Sequence, residues 1–167
     1  MKKKLMVGVL AATLAVGMVM AFAACGANGS PASVVKAYIE SDMNFDLDKM
    51  IDVTYFENDD LKETYEKYFE ESINEIGENV NARGKITKFE FKEEESTEEE
   101  FEIAKAMYEG VNIEEICKFT VTYSGTATIS ATVNGEEMEN TLTRNGVTGS
   151  GMVYKIDGKW YYDIVVA

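Results

Sequence analysis

The side chains that can do chemistry form a short set: two cysteines, nine tyrosines, one tryptophan and 30 carboxylates, with no histidine. Without histidine there is no imidazole acid–base catalysis, no His-dependent triad and no His metal site. Cys117 stands beside Ile116 and Phe119. With no imidazole to take its proton, it reads as a buried structural thiol rather than a nucleophile. The densest carboxylates, Glu93–Glu95 and Glu98–Glu100, flank Ser96-Thr97. A calcium loop needs ligands at fixed alternating positions around a glycine turn, and that pattern is missing. Ser96 or Thr97 with a glutamate three residues on is instead a capping box at a helix start. No metal and no cofactor is expected.

The other thiol, Cys25, takes its meaning from what precedes it. Three lysines follow Met1, an uncharged apolar run extends from Leu5 to Phe22, and Ala23-Ala24-Cys25 closes it. A basic start, an apolar core and a small-residue exit describe a secretory signal peptide. Ala23-Ala24-Cys25 resembles the lipobox of bacterial lipoproteins, with Phe22 standing where that pattern usually has Leu, Val or Ile. The resemblance implies cleavage before Cys25 and diacylglycerol on its sulfur, and two acyl chains anchor a protein stably. The segment Gly26–Gly29 suits a tether. Two other readings fit the same residues. The run is roughly long enough to span a bilayer uncleaved, and Ala21-Phe22-Ala23 fits an ordinary A-x-A cleavage site that would release the protein.

The organisation is then 1–24 signal peptide, 25–29 lipidated tether and 30–167 a single domain. The lipid anchor places the domain on the outer face of the bacterial cytoplasmic membrane, or on an outer membrane if the source has two. The leader holds three of the 16 basic residues and no acid, so the remainder carries 13 basic against 30 acidic groups, a net of −17. Such a chain is repelled by nucleic acid and by anionic headgroups, so its contact with the membrane is through the acyl chains on Cys25. Once Cys25 is lipidated, Cys117 has no partner for an internal disulfide.

The domain opens with Ser30-Pro31, an N-cap and a first-turn proline, and a helix to about Met43. A second helix is predicted over Asp46 to Tyr55. A third starts at Asn58–Asp60 and carries Leu61, Tyr65, Tyr68, Phe69, Ile73 and Ile76 as its apolar stripe; Gly77 or the segment 79–84 ends it. A strand is predicted over Lys85 to Glu93, then a helix bearing Phe101, Ala104, Met107 and Tyr108. From Phe119 to Val133 the odd positions are apolar or small and the even ones all Thr or Ser, which predicts a strand with one buried and one wet face. The Thr-rich face reads as exposed strand, for which Thr is suited; a recognition surface is the alternative. A bend or bulge is expected near Ser124-Gly125 because the run is longer than the usual strand. Asn134-Gly135 is a two-residue hairpin turn pairing Val133 with Glu136, Ala131 with Met138 and Ala127 with Leu142. A second connection is expected from Asn145-Gly146 to Gly151, then a strand from Met152 to Ile156. The last turn, at Asp157-Gly158, is predicted as a three-residue loop that groups Met152, Tyr154, Ile156, Trp160, Tyr162 and Ile164 on one face.

The fold class is α+β, with N-terminal helices packed on one face of a bent, cone-like antiparallel sheet. Element order and the closing run Asp157-Gly158-Lys159-Trp160-Tyr161-Tyr162 resemble exported domains of the nuclear-transport-factor-2-like, or cystatin-like, superfamily. The helix over Thr97–Glu109 departs from that pattern. The resemblance implies a cone whose open end holds a pocket in some members and a dimer surface in others. The function expected first is a non-enzymatic binding or accessory domain for a small ligand or an envelope protein. Tyr38, Tyr65, Tyr68, Trp160 and Tyr162 are its candidate binding residues, since Tyr and Trp join apolar area to a polar tip. One alternative is an interaction module forming a homodimer through the sheet, with Tyr161 and Val165 as the residues to inspect. The other is an isomerase- or dehydratase-like enzyme using Tyr and Asp, with Asp163 nearest in position and its alternation pointing away from Trp160. Fold analogy alone is weak ground for chemistry.

Overall fold

The computed structural model describes residues 28–108 and 110–163, so the leader, Cys25, Ile164 and Val165 lie outside the described residues. Helix α1 spans Pro31–Asn44, α2 Leu47–Val53 and α3 Asp59–Asn74. Strand β1 follows at Glu78–Glu94, helix α4 at Glu98–Met107, then β2 at Ile113–Val133, β3 at Glu136–Ile156 and β4 at Lys159–Tyr162. The strands form one antiparallel sheet in the order β1-β2-β3-β4, and the class is α+β.

Each helix begins where a side chain satisfies its first free N–H groups. Ser30 caps α1, Asp46 caps α2 and Asn58 caps α3, each accepting from the backbone three residues on. Thr97 and Glu100 form the expected capping box on α4. Phe45 ends α1 in the left-handed region at φ 53° and folds back into a second apolar cluster.

Strand β2 alternates as expected, its odd residues buried from Cys117 to Ala131. The Asn134-Gly135 turn holds all three expected pairs. The bend also falls at Ser124-Gly125, with the extra residues on the neighbouring strands. Thr87 bulges from β1, and Asn145-Gly146 stand opposite Ser124 on β3, where the Gly146 N–H donates to Ser124 Oγ at 3.0 Å. Asn145-Gly146 is therefore a bulge inside one continuous strand. The separate connection and the fifth strand expected there are absent, because turn residues at a bulge look in sequence like turn residues in a loop.

Two further expectations are corrected. The Asp157-Gly158 turn is a two-residue loop, with φ 49° and 78°, and it pairs Lys155 directly with Trp160. The predicted grouping assumed one apolar face. At this end of the sheet both faces are covered: Val153, Trp160 and Tyr162 face α1, while Tyr154, Ile156 and Tyr161 face α4. The helices thus do not share one side, and α4 packs Phe101 and Ala104 on the opposite one. Helix α3 has no buried residue, and its expected stripe is partly open, Leu61 being 45% and Tyr68 64% exposed.

The helix–sheet contact is closest where the sheet bends. A Cβ on Gly84 would lie 2.5 Å from Met43 Cβ, and one on Gly125 2.8 Å from the Lys85 carbonyl and 2.9 Å from Met43 Cε. Asn44 fixes the same spot. Its Oδ1 accepts from the Gly84 N–H at 2.9 Å and its Nδ2 donates to the Gly84 carbonyl at 3.2 Å. The amide thereby takes the place of a further strand at the open edge of β1. Gly84→Val is expected to lower stability by about 1–3 kcal/mol through overpacking against backbone. Urea unfolding measures it, and an unchanged midpoint would show that α1 does not depend on this approach.

Candidate functional site

Of the five aromatic residues expected to bind, the structure brings three together. Tyr38 of α1 stacks on Tyr162 of β4, ring centroids 4.4 Å apart and planes 21° apart. Its hydroxyl meets that of Tyr65, on α3, at 3.4 Å. Trp160 is buried in the same core cluster as Tyr162, while Tyr68 stands exposed on α3, outside it. Burial pushes the Tyr65 and Tyr162 hydroxyls up to about 12 and raises Tyr38 well above its usual value. All three stay protonated at neutral pH, and the Tyr65 hydroxyl also donates to Met50 Sδ at 4.0 Å. Asp42, one turn on from Tyr38, adds charge beside this group. Burial pushes its carboxyl up to about 6, and the nearby Arg144 guanidinium pulls the other way. Asp42 and Arg144 border a cavity of about 10 Å³, room for one water.

A second constellation lies on the opposite face. The Tyr108 hydroxyl, just past α4, donates a short hydrogen bond to the Asp163 carboxylate. Tyr108 meets Tyr154 at 5.6 Å and Tyr55 at 5.5 Å, both edge-on. Burial first, then the carboxylate, raises the Tyr108 hydroxyl; burial raises Asp163, while the Tyr108 and Tyr154 hydroxyls lower it. Asp163 does face away from Trp160, as its alternation required. Its tyrosine partner was not legible, because Tyr108 follows a helix 55 residues earlier in the chain. Cys117 is buried, with burial and then Glu93 pushing its thiol up to about 12, so it stays a protonated core residue.

An open cleft of about 750 Å³ runs between the α2–α3 loop and the β3–β4 turn, walled by Thr54, Tyr55, Phe56 and Tyr161 and rimmed by Lys62 and Lys159. The volume is in the range of small-molecule sites, about 300–1,000 Å³. Glu57, Asp59 and Asp157 add acceptors. Thr54 ends α2, is 4% exposed and makes an isolated parallel bridge to Tyr162. Its Oγ1 is buried with no hydrogen-bond partner among the described residues, and an orphaned buried hydroxyl is costly. Sequence reasoning missed this cleft because it arises from two turns about a hundred residues apart. Among the described residues no group of three or more potential ligands could hold a metal ion, and no helix is long and apolar enough to cross a membrane.

Asp42 yields a pH signature. Its folded pKa of about 6 lies above the ordinary carboxylate value, so the folded state holds the proton more tightly than the unfolded one. Its contribution therefore favours folding below about pH 4 and is lost as pH rises through about 6. Asp42→Asn is expected to remove this fall from the stability–pH profile, whose slope for one group is at most roughly 1.4 kcal/mol per pH unit. Denaturant titrations between the two limits measure it, and an unaltered slope would refute the assignment. No protein-family model matches the chain, and no curated protein or solved structure is significantly similar to it.

Proposed function

We propose that the chain is a lipid-anchored, extracytoplasmic binding domain that takes a small polar ligand in the cleft between the α2–α3 loop and the β3–β4 turn. The observation that carries this reading is the open cleft itself, which sets the aromatic side chains of Tyr55, Phe56 and Tyr161 beside the polar groups of Lys62, Lys159 and Glu57. A ligand with an apolar face and a hydrogen-bonding edge suits both. The core tyrosines Tyr38, Tyr65 and Tyr162 would support the cleft from behind, since the Thr54–Tyr162 bridge joins the two.

Asn28, the first described residue, lies at the same end of the domain as the cleft. The Trp160 backbone N–H donates to the Asn28 carbonyl at 3.1 Å, and the Asn28 side chain donates to the Asp52 carbonyl at 3.1 Å. Both contacts sit beside α2 and β4, which build the cleft. Cys25 is three residues before Asn28 and reaches at most about 11 Å from it. A lipid on Cys25 would thus hold the cleft next to the membrane, with the β2–β3 hairpin extending away.

A second reading, an interaction module without a pocket, is favoured by α3, whose Leu61 and Tyr68 remain exposed. The residues first suspected for a sheet-face dimer do not favour it: Tyr161 packs into the α4-side cluster, and Val165 is outside the described residues.

Two measurements test the proposal. Cys25→Ser is expected to move the protein from the membrane fraction to the soluble fraction, and retention in the membrane would refute lipid anchoring. Native mass spectrometry of the protein extracted from membranes is expected to show a mass lost on denaturation. Lys62→Ala and Tyr161→Ala should each reduce its occupancy about tenfold, the effect of losing roughly 1.4 kcal/mol. A bare protein, or occupancy indifferent to both substitutions, would refute the cleft.

A further inference from the structure

On the helices and at the base of the sheet, lysines stand within 4.0 Å of carboxylates, as Lys36, Lys62 and Lys155 do. Strand β1 differs. Arg83, Lys85, Lys88 and Lys92 are all exposed, and the register sets them opposite Thr128, Thr126, Ser124 and Thr120 of β2. Cross-strand partners share a face, so the four cations form one column. Lys88 pairs with Glu90, on the same face, while Arg83, Lys85 and Lys92 make no ion pair among the described residues. Strand β3 extends three of the four rungs: Thr128 faces Thr141, Thr126 faces Thr143 and Thr120 faces Ser150, while Ser124 stands at the bulge. The hydroxyls of Thr128 and Thr141 are 3.0 Å apart. The result is a column of cations beside two columns of hydroxyls, roughly 30 Å long at about 3.3 Å per residue. Glu139 and Glu94 lie at its two ends. Helix α4 covers this face only below it, around Met152, Tyr154 and Ile156.

We propose that this face binds a linear polyanion, a phosphodiester-linked polyol chain of the cell envelope, laid along β1. The argument is charge complementarity on a chain of net charge −14, whose acids would repel a polyanion almost anywhere else. The chemistry of the face selects among polyanions. Its rungs present cations and hydroxyls with two carboxylates, Glu90 and the Glu94 that accepts from Thr120, and they carry no aromatic ring to stack a nucleobase and no apolar anchor for a protein partner. A lipid surface does not fit either, because the column climbs away from the end of the domain where Asn28 is tied down. Lysines on an edge strand also discourage sheet-to-sheet aggregation. That role requires no ligand, so binding separates the two.

The test uses the full exported protein extracted from membranes and a glycerol-phosphate oligomer of about ten repeats, followed by calorimetry. Binding is expected to weaken roughly 20- to 50-fold between 50 and 200 mM salt, as for three or four neutralised phosphates on a flexible polyanion. The double variant K85E/K92E should lose at least tenfold in affinity and keep its unfolding midpoint. Thr126→Ala with Thr143→Ala should lose a few-fold, and Lys67→Glu, on α3, should lose nothing. The proposal fails if the oligomer does not bind at 50 mM salt, or if K85E/K92E binds as tightly as the native chain. It fails equally if polyglutamate of matched charge binds as well, which would mark an acidic polypeptide as the partner, or if anionic vesicles bind through the same lysines. The choice of an envelope polymer rests on the proposed lipid anchor, which the Cys25→Ser fractionation tests by itself, and none of these binding outcomes depends on the cleft.

Discussion

Helix α1 reaches the sheet because two glycines leave it room. Gly84 and Gly125 lie at the level where β1 and β3 both bulge, and Met43 fills the space their missing side chains leave. A long twisted sheet cannot stay straight along strands of 21 residues. The bulges supply the bend, and the bend supplies the concavity in which a helix can lie. Asn44 then holds the end of α1 to the Gly84 backbone, so the helix is fixed by hydrogen bonds as well as by packing. Much else depends on that placement. It sets Tyr38 over Tyr162, brings Asp42 towards Arg144, and turns the chain at Phe45 into α2, whose end forms one wall of the cleft.

Below the bend the sheet is two-sided. Neighbouring residues of β3 and β4 point into two different apolar clusters, one under α1 and one under α4. This is why almost every side chain from Met152 to Tyr162 is apolar or aromatic outside the turn and Lys155. It is also why the Asp163 carboxylate ends among tyrosine hydroxyls. A carboxylate there is held as an acceptor by groups that burial keeps protonated. Beyond the cluster around Met152, Tyr154 and Ile156 only one face is covered, and the other becomes the hydroxyl face, whose column of cations runs across the bend. One pair of strands thus serves a double-sided core at one end and an open surface at the other.

Sequence periodicity was informative where a strand had one dry face and misleading where it had two. The odd–even pattern of Phe119–Val133 predicted burial, register and bend together, because each apolar residue there faces helix and each hydroxyl faces water. The same logic applied to Met152–Tyr162 gave the wrong turn, since two dry faces leave no polar parity to read. Helix starts were legible at Ser30, Asn58 and Thr97, where a side-chain oxygen three residues ahead of a free N–H is a local property. The stripe on α3 was legible too, yet it does not report burial: amphipathic spacing says which face could be covered, and tertiary packing decides whether it is.

The amino-acid sequence alone determined the exclusion of histidine chemistry, the α+β class, the capped helices and the central hairpin. All of these are carried by residues within a few positions of one another. Only the tertiary structure decided that Tyr38, Tyr65 and Tyr162 meet while Tyr68 does not, that Thr54 is left without a partner, and that Tyr108 finds Asp163. It also decided that four cations of one strand align with the hydroxyls of two others. These depend on which surfaces the bend brings together, and contacts between residues dozens of positions apart are set by the packing of whole elements, which no local pattern encodes.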